Sequence, residues 1–202
     1  MLETADKSRL DDPASLKPED FAQIGTEYVL ESEGGTTLLR LVHSGFGTDA
    51  EWDDQFEGTR TGWEVELRGL RHYLENHRGR DRVVAWAKAP FTTSRAEAWD
   101  RILSSRGLLA EGTLEGAREG LRYRIRAANG DRFEGTVELH DPPRNFGATV
   151  EPWNRALLRL RLEDLYGRRE AHLWLSTYGL PREEAAAFQT RWQAELENLL
   201  SA

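Results

Sequence analysis

The segment Thr61-Gly-Trp63-Glu-Val-Glu66-Leu67-Arg-Gly-Leu70 returns near the C-terminus as Thr190-Arg-Trp192-Gln-Ala-Glu195-Leu196-Glu-Asn-Leu199, at a constant offset of 129. Five of the ten positions are identical, one Trp among them. A second pair, Leu39-Arg-Leu41-Val-His43-Ser-Gly45 and Leu173-Trp-Leu175-Ser-Thr-Tyr-Gly179, matches at offset 134, so the first copy carries the longer loop. Both copies read as strand, loop, helix. A period near 129 is the size of a compact domain and far exceeds the roughly 20 to 50 residues of a solenoid repeat. The chain therefore reads as a duplicated domain whose first copy is truncated. About 80 residues precede the matching segment in the second copy, against about 36 in the first.

The second copy reads in order from about Arg82. Val83-Val-Ala-Trp-Ala-Lys is a short strand. Ser94 and Glu97 have capping-box spacing and open a helix with Ala98, Trp99, Ile102 and Leu103 on one face. Leu121, Tyr123 and Ile125 alternate with arginines, the period of a half-buried strand. Asn129-Gly130 is a strong hairpin turn, and it leads to Phe133, Val137 and Leu139 on one expected inner row. Asp141-Pro-Pro143 turns the chain again. Phe146, Ala148 and Val150, then Leu158, Leu160 and Leu162, form further inner rows, and Tyr166-Gly167-Arg168 turns into Leu173 and Leu175. Pro181 starts a long helix whose Phe188, Trp192, Leu196 and Leu199 recur at spacing three to four. A curled sheet with one wet face must bury the other, and the terminal helix is long enough to cover it.

Three segments follow: a polar lead over 1–24, a partial domain of two strands and a helix over 25–79, and a nearly complete domain over 80–202. With 202 residues and 39% hydrophobic content, one core plus a satellite is affordable. No apolar run approaches the roughly 20 residues of a membrane span, and the acidic start lacks the basic and apolar regions of a secretory signal. The chain reads as cytoplasmic and not bound to membrane.

There is no Cys, and the five His fall into no metal-ligand spacing, so neither a metal nor another cofactor is expected. A net charge of 27 − 35 = −8 disfavours nucleic acid. No Gly-rich phosphate loop or nucleophile elbow is present, and no pair of titrating groups suggests catalysis, so no catalytic residue is assigned. Asp49, Glu51, Asp53, Asp54 and Glu57 read as a solvated acidic face, and Gly34-Gly35 as a hairpin turn. His72, His77 and His140 read as solvent-facing. Strand parity points His43 inward, as a polar group toward a cavity or in a structural hydrogen bond.

The element order, the run Ala89-Pro-Phe-Thr-Thr-Ser-Arg-Ala-Glu97-Ala98-Trp99, and the ending strand, Gly, Trp-x-x-x-Leu-x-x-Leu in both copies resemble the SRPBCC superfamily of START-like helix-grip domains. Within it, Thr37-Leu-Leu-Arg-Leu-Val-His43-Ser44-Gly45-Phe46 followed by Gly62-Trp63 is similar to the family named for the activator of the heat-shock-protein-90 ATPase. The resemblance implies an α+β fold, a curved antiparallel sheet wrapped around a long C-terminal helix. It also implies an apolar cavity between sheet and helix, for which Trp99, Tyr123, Phe133, Phe188 and Trp192 are the candidate wall.

Three functions are weighed. The first is non-catalytic binding of a small apolar ligand, the second a protein-interaction module similar to the chaperone-ATPase activators, and the third a cyclase or dehydratase-like enzyme. Trp174 shares the outward parity of Arg40 and marks a contact surface for the partial domain, a second subunit or a foreign protein. The partial domain leaves the helix face of Trp63, Leu67, Leu70 and Leu74 and an open strand edge to be covered. Packing on the second domain, exchange into a symmetric homodimer, or residues upstream of Met1 would each cover them.

Overall fold

A computed structural model describes residues 25–48, 52–165 and 168–201. The expected polar lead, the acidic residues Asp49 and Glu51, and the Tyr166-Gly167 turn lie outside the described residues. The chain divides into two compact units between Thr59 and Arg60.

The first unit holds a hairpin. Strands β1 (Gly25–Glu33) and β2 (Thr36–Ser44) pair antiparallel from Gly25 opposite Ser44 to Glu33 opposite Thr36. Gly34 and Gly35 both adopt positive φ in the turn, a conformation that glycine reaches without a side-chain clash. Residues opposite each other share a face, so Tyr28, Leu30, Leu39 and Leu41 form one apolar row. Glu27, Glu31 and Arg40 lie on the other face. The division between the units falls within helix α1 (Asp53–Asn76).

The second unit contains residues 60–76 of α1 and a seven-stranded antiparallel sheet in the order β3-β9-β8-β7-β6-β5-β4. Its strands are β3 (Arg82–Pro90), β4 (Glu111–Gly112), β5 (Arg122–Arg126), β6 (Arg132–Asp141), β7 (Asn145–Val150), β8 (Ala156–Leu165) and β9 (Arg168–Tyr178). Helix α2 (Arg95–Ile102) follows β3, and α3 (Arg182–Leu200) closes the chain. The Ser94 hydroxyl accepts the Glu97 N–H and caps α2, turning Ala98, Trp99 and Ile102 into the core.

Alternation puts Ala85, Ala87 and Ala89 of β3, Leu158, Leu160 and Leu162 of β8, and Ala171, Leu173 and Leu175 of β9 on one inner face, all buried. Phe188, Trp192, Leu196 and Leu199 of α3 meet this face. The three alanines of β3 leave room for α3 to lie close against that edge strand. Gln193 uses the proximity: its Oε1 accepts the Lys88 N–H at 3.0 Å and its Nε2 donates to the Lys88 carbonyl at 2.7 Å. Gln189 likewise accepts the Trp86 N–H at 3.1 Å. These side chains supply hydrogen bonds that an open strand edge would otherwise offer to another chain.

Three expectations need correction. Leu139 is not on the inner row: a bulge between Val137 and Leu139 shifts the register, pairing Leu139 with Gly147 on the outer face. The same shift turns His140 inward. It is half-buried, its Nδ1 lies 2.8 Å from the Ala117 carbonyl, and its ring approaches Trp99 and Phe146. His72 and His77 are buried rather than solvent-facing, because both reach the carbonyl of Arg155, at 2.8 and 3.2 Å.

Within the second unit, Thr61, Val65, Arg68, Gly69 and His72 of α1 face the outer side of the sheet. Thr61 Oγ1 meets Arg161 Nη2 at 3.5 Å, and Arg68 donates to the Glu138 carbonyl at 2.8 Å. At about 100° per residue this stripe lies about 180° from the stripe of Trp63, Leu67, Leu70 and Leu74. Leu70 and Leu74 are accordingly 42% and 44% exposed. The outer sheet face presents Arg159 and Arg161, so a polar helix stripe suits it better than a leucine stripe.

Candidate functional site

The inner face of the sheet gathers the aromatic side chains singled out in the sequence. Phe133 lies 6.4 Å from Phe188 and 6.0 Å from Trp192 between ring centres, and Phe188 lies 5.9 Å from Trp192. Tyr123 meets Phe146 edge-on at 5.9 Å, and Trp99 stands on α2 at the other side of the core. All five candidate wall residues are buried. Their polar tips have partners inside the protein. Trp192 Nε1 donates to Asp131 Oδ2 at 2.7 Å, and the Tyr123 hydroxyl donates to the Thr149 carbonyl at 2.8 Å. Burial raises the Tyr123 phenol far above its ordinary value, so it stays neutral and a donor.

Space opens at the seam between sheet and helix, at the N-terminal end of α3. A recess of about 160 Å³ is lined by Trp153, Leu175, Thr177, Leu180, Glu184, Ala185, Ala187 and Arg191. Ala185-Ala186-Ala187 thins the early part of α3, and the β9 residues Leu175 and Thr177 form the opposite wall. Glu184, Ala187 and Arg191 recur at spacing three and four, so one helix face brings them together. Arg191 Nη2 is held by Asp131 Oδ1 at 2.9 Å, which fixes the guanidinium at the rim. The aromatic cluster backs the recess through Trp153, whose ring meets Phe188 at 5.4 Å and Phe133 at 6.0 Å. Apart from Leu175 on its inner row, no local period marks these lining residues; the signal in the sequence is a triple alanine within a helix otherwise rich in large side chains.

The outer face carries a second cluster. Trp174 stacks on His172 at 5.1 Å and on Trp86 at 6.2 Å, and the Lys88 ammonium sits 5.5 Å from the Trp86 ring. Trp174 is half-buried, whereas Val84 and Trp86 beside it are exposed. His172 Nε2 lies 3.5 Å from Glu163, and this neighbour holds the Glu163 carboxyl below its usual range. Arg159 pairs with Glu66 at 3.1 Å and Arg161 with Glu163 at 2.9 Å. Beneath α1 these arginines and Trp174 border a gap of about 20 Å³, enough for one water.

The remaining candidates lie elsewhere. In the first unit, His43 is half-buried, its Nδ1 3.0 Å from Thr26 Oγ1 and its ring 5.2 Å from Phe46. Trp63 and Leu67 are half-buried on α1, on the stripe turned away from the sheet. Among the described residues no cluster of three His, Cys, Asp or Glu could hold a metal ion, and no helix is long and apolar enough to cross a membrane.

No protein-family model matches the chain, and no curated protein matches it. Among solved structures it is similar to the Aha1 dimer from Colwellia psychrerythraea, at 16% identity and a TM-score of 0.48, over 59% of this chain and 95% of that one. It is similar to CalU16 from Micromonospora echinospora, at 15% identity and a TM-score of 0.44, over 61% of this chain and 85% of the other. The di-domain ARO/CYC protein BexL from the BE-7585A biosynthetic pathway covers more of the chain, 87%, over 70% of its own, at 15% identity and a TM-score of 0.43. The second unit is α+β, with an antiparallel sheet packed against a long C-terminal helix in the helix-grip arrangement.

Proposed function

We propose that this chain is a non-catalytic binding protein that holds a small organic molecule in the recess between the sheet and α3. The observation that carries the reading is the recess itself, about 160 Å³, whose lining combines apolar Trp153, Leu175, Ala185 and Ala187 with polar Thr177, Glu184 and Arg191. An apolar cavity of about 150 Å³ accepts benzene, so the fitting ligand is a single ring or its equivalent, with one polar group turned toward Thr177 or Arg191. Trp99, Tyr123, Phe133, Phe188 and Trp192 serve as the rigid backing rather than as direct contacts.

Native mass spectrometry of gently purified protein, followed by a denatured run, detects a carried ligand. Indole and p-cresol are suitable probes, with amide chemical shifts of Ala185, Ala187 and Thr177 as readout and dissociation constants of about 0.1–1 mM expected for ligands this small. Ala187 is exposed at the lip, so Ala187→Trp should fill the recess and abolish the shifts without disturbing the core. Unchanged binding by that variant, or no shift in the parent protein, sinks the reading.

A second reading, a protein-docking surface similar to that of chaperone-ATPase activators, is favoured by the exposed Val84 and Trp86 beside Trp174. Its test is the ATPase rate of a purified heat-shock-protein-90 chaperone with added protein. Stimulation lost in Trp86→Ala supports it, and an unaltered rate with the parent protein rejects it.

A further inference from the structure

The hairpin of the first unit is a two-stranded sheet with nine residues in each strand. Two strands alone are marginal in water; three or more with an apolar face are needed for independent stability. Tyr28 and Leu30 of its apolar row are exposed. The second unit shows what the same sequence pattern is built to have as neighbours. Strand β9, whose Leu173 and Leu175 match Leu39 and Leu41 of β2, is paired on both edges, by β8 and by β3. β2 has β1 on one edge and no described strand on the other.

We propose that a second copy of this chain supplies the missing neighbour, through antiparallel pairing of β2 with the partner's β2 about a two-fold axis at Arg40. That register sets Leu39 opposite the partner's Leu41 and Leu38 opposite the partner's Val42, apolar pairs on both faces. Only Arg40 meets its own counterpart. The rival symmetric pairing, β1 with the partner's β1 about Val29, places Glu27 opposite the partner's Glu31 twice, and like charges directly opposite destabilise a sheet. Pairing β1 with the partner's β2 is head-to-tail and leaves edges open to further copies. The β2 pairing closes as a dimer. It makes a four-stranded sheet in which Tyr28, Leu30, Leu39 and Leu41 of both copies share one face.

The test is a charge swap on the full-length chain, read by sedimentation equilibrium. Leu38 and Val42 are 52% and 36% exposed, so charging them costs the hairpin little, and Lys at either position would face Glu31 or Glu27 of its own β1. The parent protein should approach twice 23.0 kDa as concentration rises. L38K/V42K sets Lys against Lys at both crossings and should weaken dimerisation at least tenfold, while L38K/V42E sets Lys against Glu and, with E27K added so that no like charges face each other across the hairpin, should restore it. A parent protein that stays at 23.0 kDa, a dimer indifferent to L38K/V42K, or failure of E27K/L38K/V42E to recover overturns the proposal. The chain has no Cys, so R40C adds a single thiol. Lying on the axis, it should form a disulfide-linked dimer under mild oxidation, which V29C on β1 should not. Equal linking of the two variants overturns the register.

Discussion

Trp192 Nε1 donates to Oδ2 of Asp131 at 2.7 Å, while Nη2 of the adjacent Arg191 holds Oδ1 of the same carboxylate at 2.9 Å. Asp131 follows the Asn129-Gly130 turn between β5 and β6, so one side chain latches the C-terminal helix to a hairpin tip some sixty positions earlier in the chain. Trp192 is buried and the Asp131 side chain is only 11% exposed, which makes the bond between them strong and its loss costly.

Trp192→Phe keeps a ring in the core and removes the donor. The expected cost is about 1–3 kcal/mol, as for a bond to a charged group, whereas Trp192→Ala adds a cavity and should cost about 3–5 kcal/mol. Urea denaturation measures both. Equal stabilities for parent and Trp192→Phe would mean that the latch contributes nothing.

Gln193 satisfies the N–H and carbonyl of Lys88 together, as a neighbouring strand would. Gln193→Ala removes both bonds from the edge of β3 and should cost about 1–2 kcal/mol. It should also raise the tendency of the protein to aggregate, because the edge becomes available to other chains. Light scattering during slow heating reads the second effect. A variant that scatters no earlier than its parent contradicts the edge-covering role.

The inner rows were legible in the sequence because alternation and helical spacing are local. Tyr123, Phe133, Phe146, Phe188 and Trp192 each lie where their period puts them. What escaped depended on distant partners. Nothing near His72 and His77 announces that the carbonyl of Arg155 lies within reach, and nothing near Leu139 announces the bulge. The stripe of α1 that faces the sheet, Thr61, Val65, Arg68 and His72, resembles a wet face when read alone. It is matched by Arg159 and Arg161, about a hundred residues later. The seam recess escaped for the opposite reason: a row of small residues signals space only once the opposing wall is known.

Gly135 leaves room for a crossing of polar groups. A Cβ at that position would strike the carbonyl and hydroxyl of Thr149. That carbonyl accepts the Tyr123 hydroxyl, and the Thr149 hydroxyl accepts the Thr136 N–H at 2.8 Å. Gly135→Ala should therefore force β6 and β7 apart and strain the Tyr123 bond, costing about 2–3 kcal/mol. Tyr123→Phe, which removes only the hydroxyl, should cost about 1 kcal/mol. If Gly135→Ala proves no worse than Tyr123→Phe, the close approach is relieved by other means.

His72 and His77 both donate from Nε2 to the one carbonyl of Arg155, and the His77 ring stacks on Tyr178 at 4.0 Å. Burial is the chief cause that holds both imidazoles below the ordinary value of about 6.5. The Arg155 carbonyl works against the shift, while the positive charges of His77, Arg155 and Arg159 add to it at His72 and those of Arg80 and Arg155 add to it at His77. Below about pH 6.5 the unfolded chain takes up protons that the folded chain refuses. The stabilisation is thus complete above that pH and is lost as pH falls from it toward the depressed folded values. Glu163, held low by His172, loses its contribution only below the usual carboxylate range, and Glu138, raised by burial, acts in the opposite sense. Comparison with a variant isolates the histidines. His72→Gln/His77→Gln keeps two uncharged donors and should cost about 1 kcal/mol at pH 7.5. It should also fall less in melting temperature between pH 7.5 and pH 5 than the parent. Equal falls in the two proteins would show that the histidine pair does not set the acid limit of this fold.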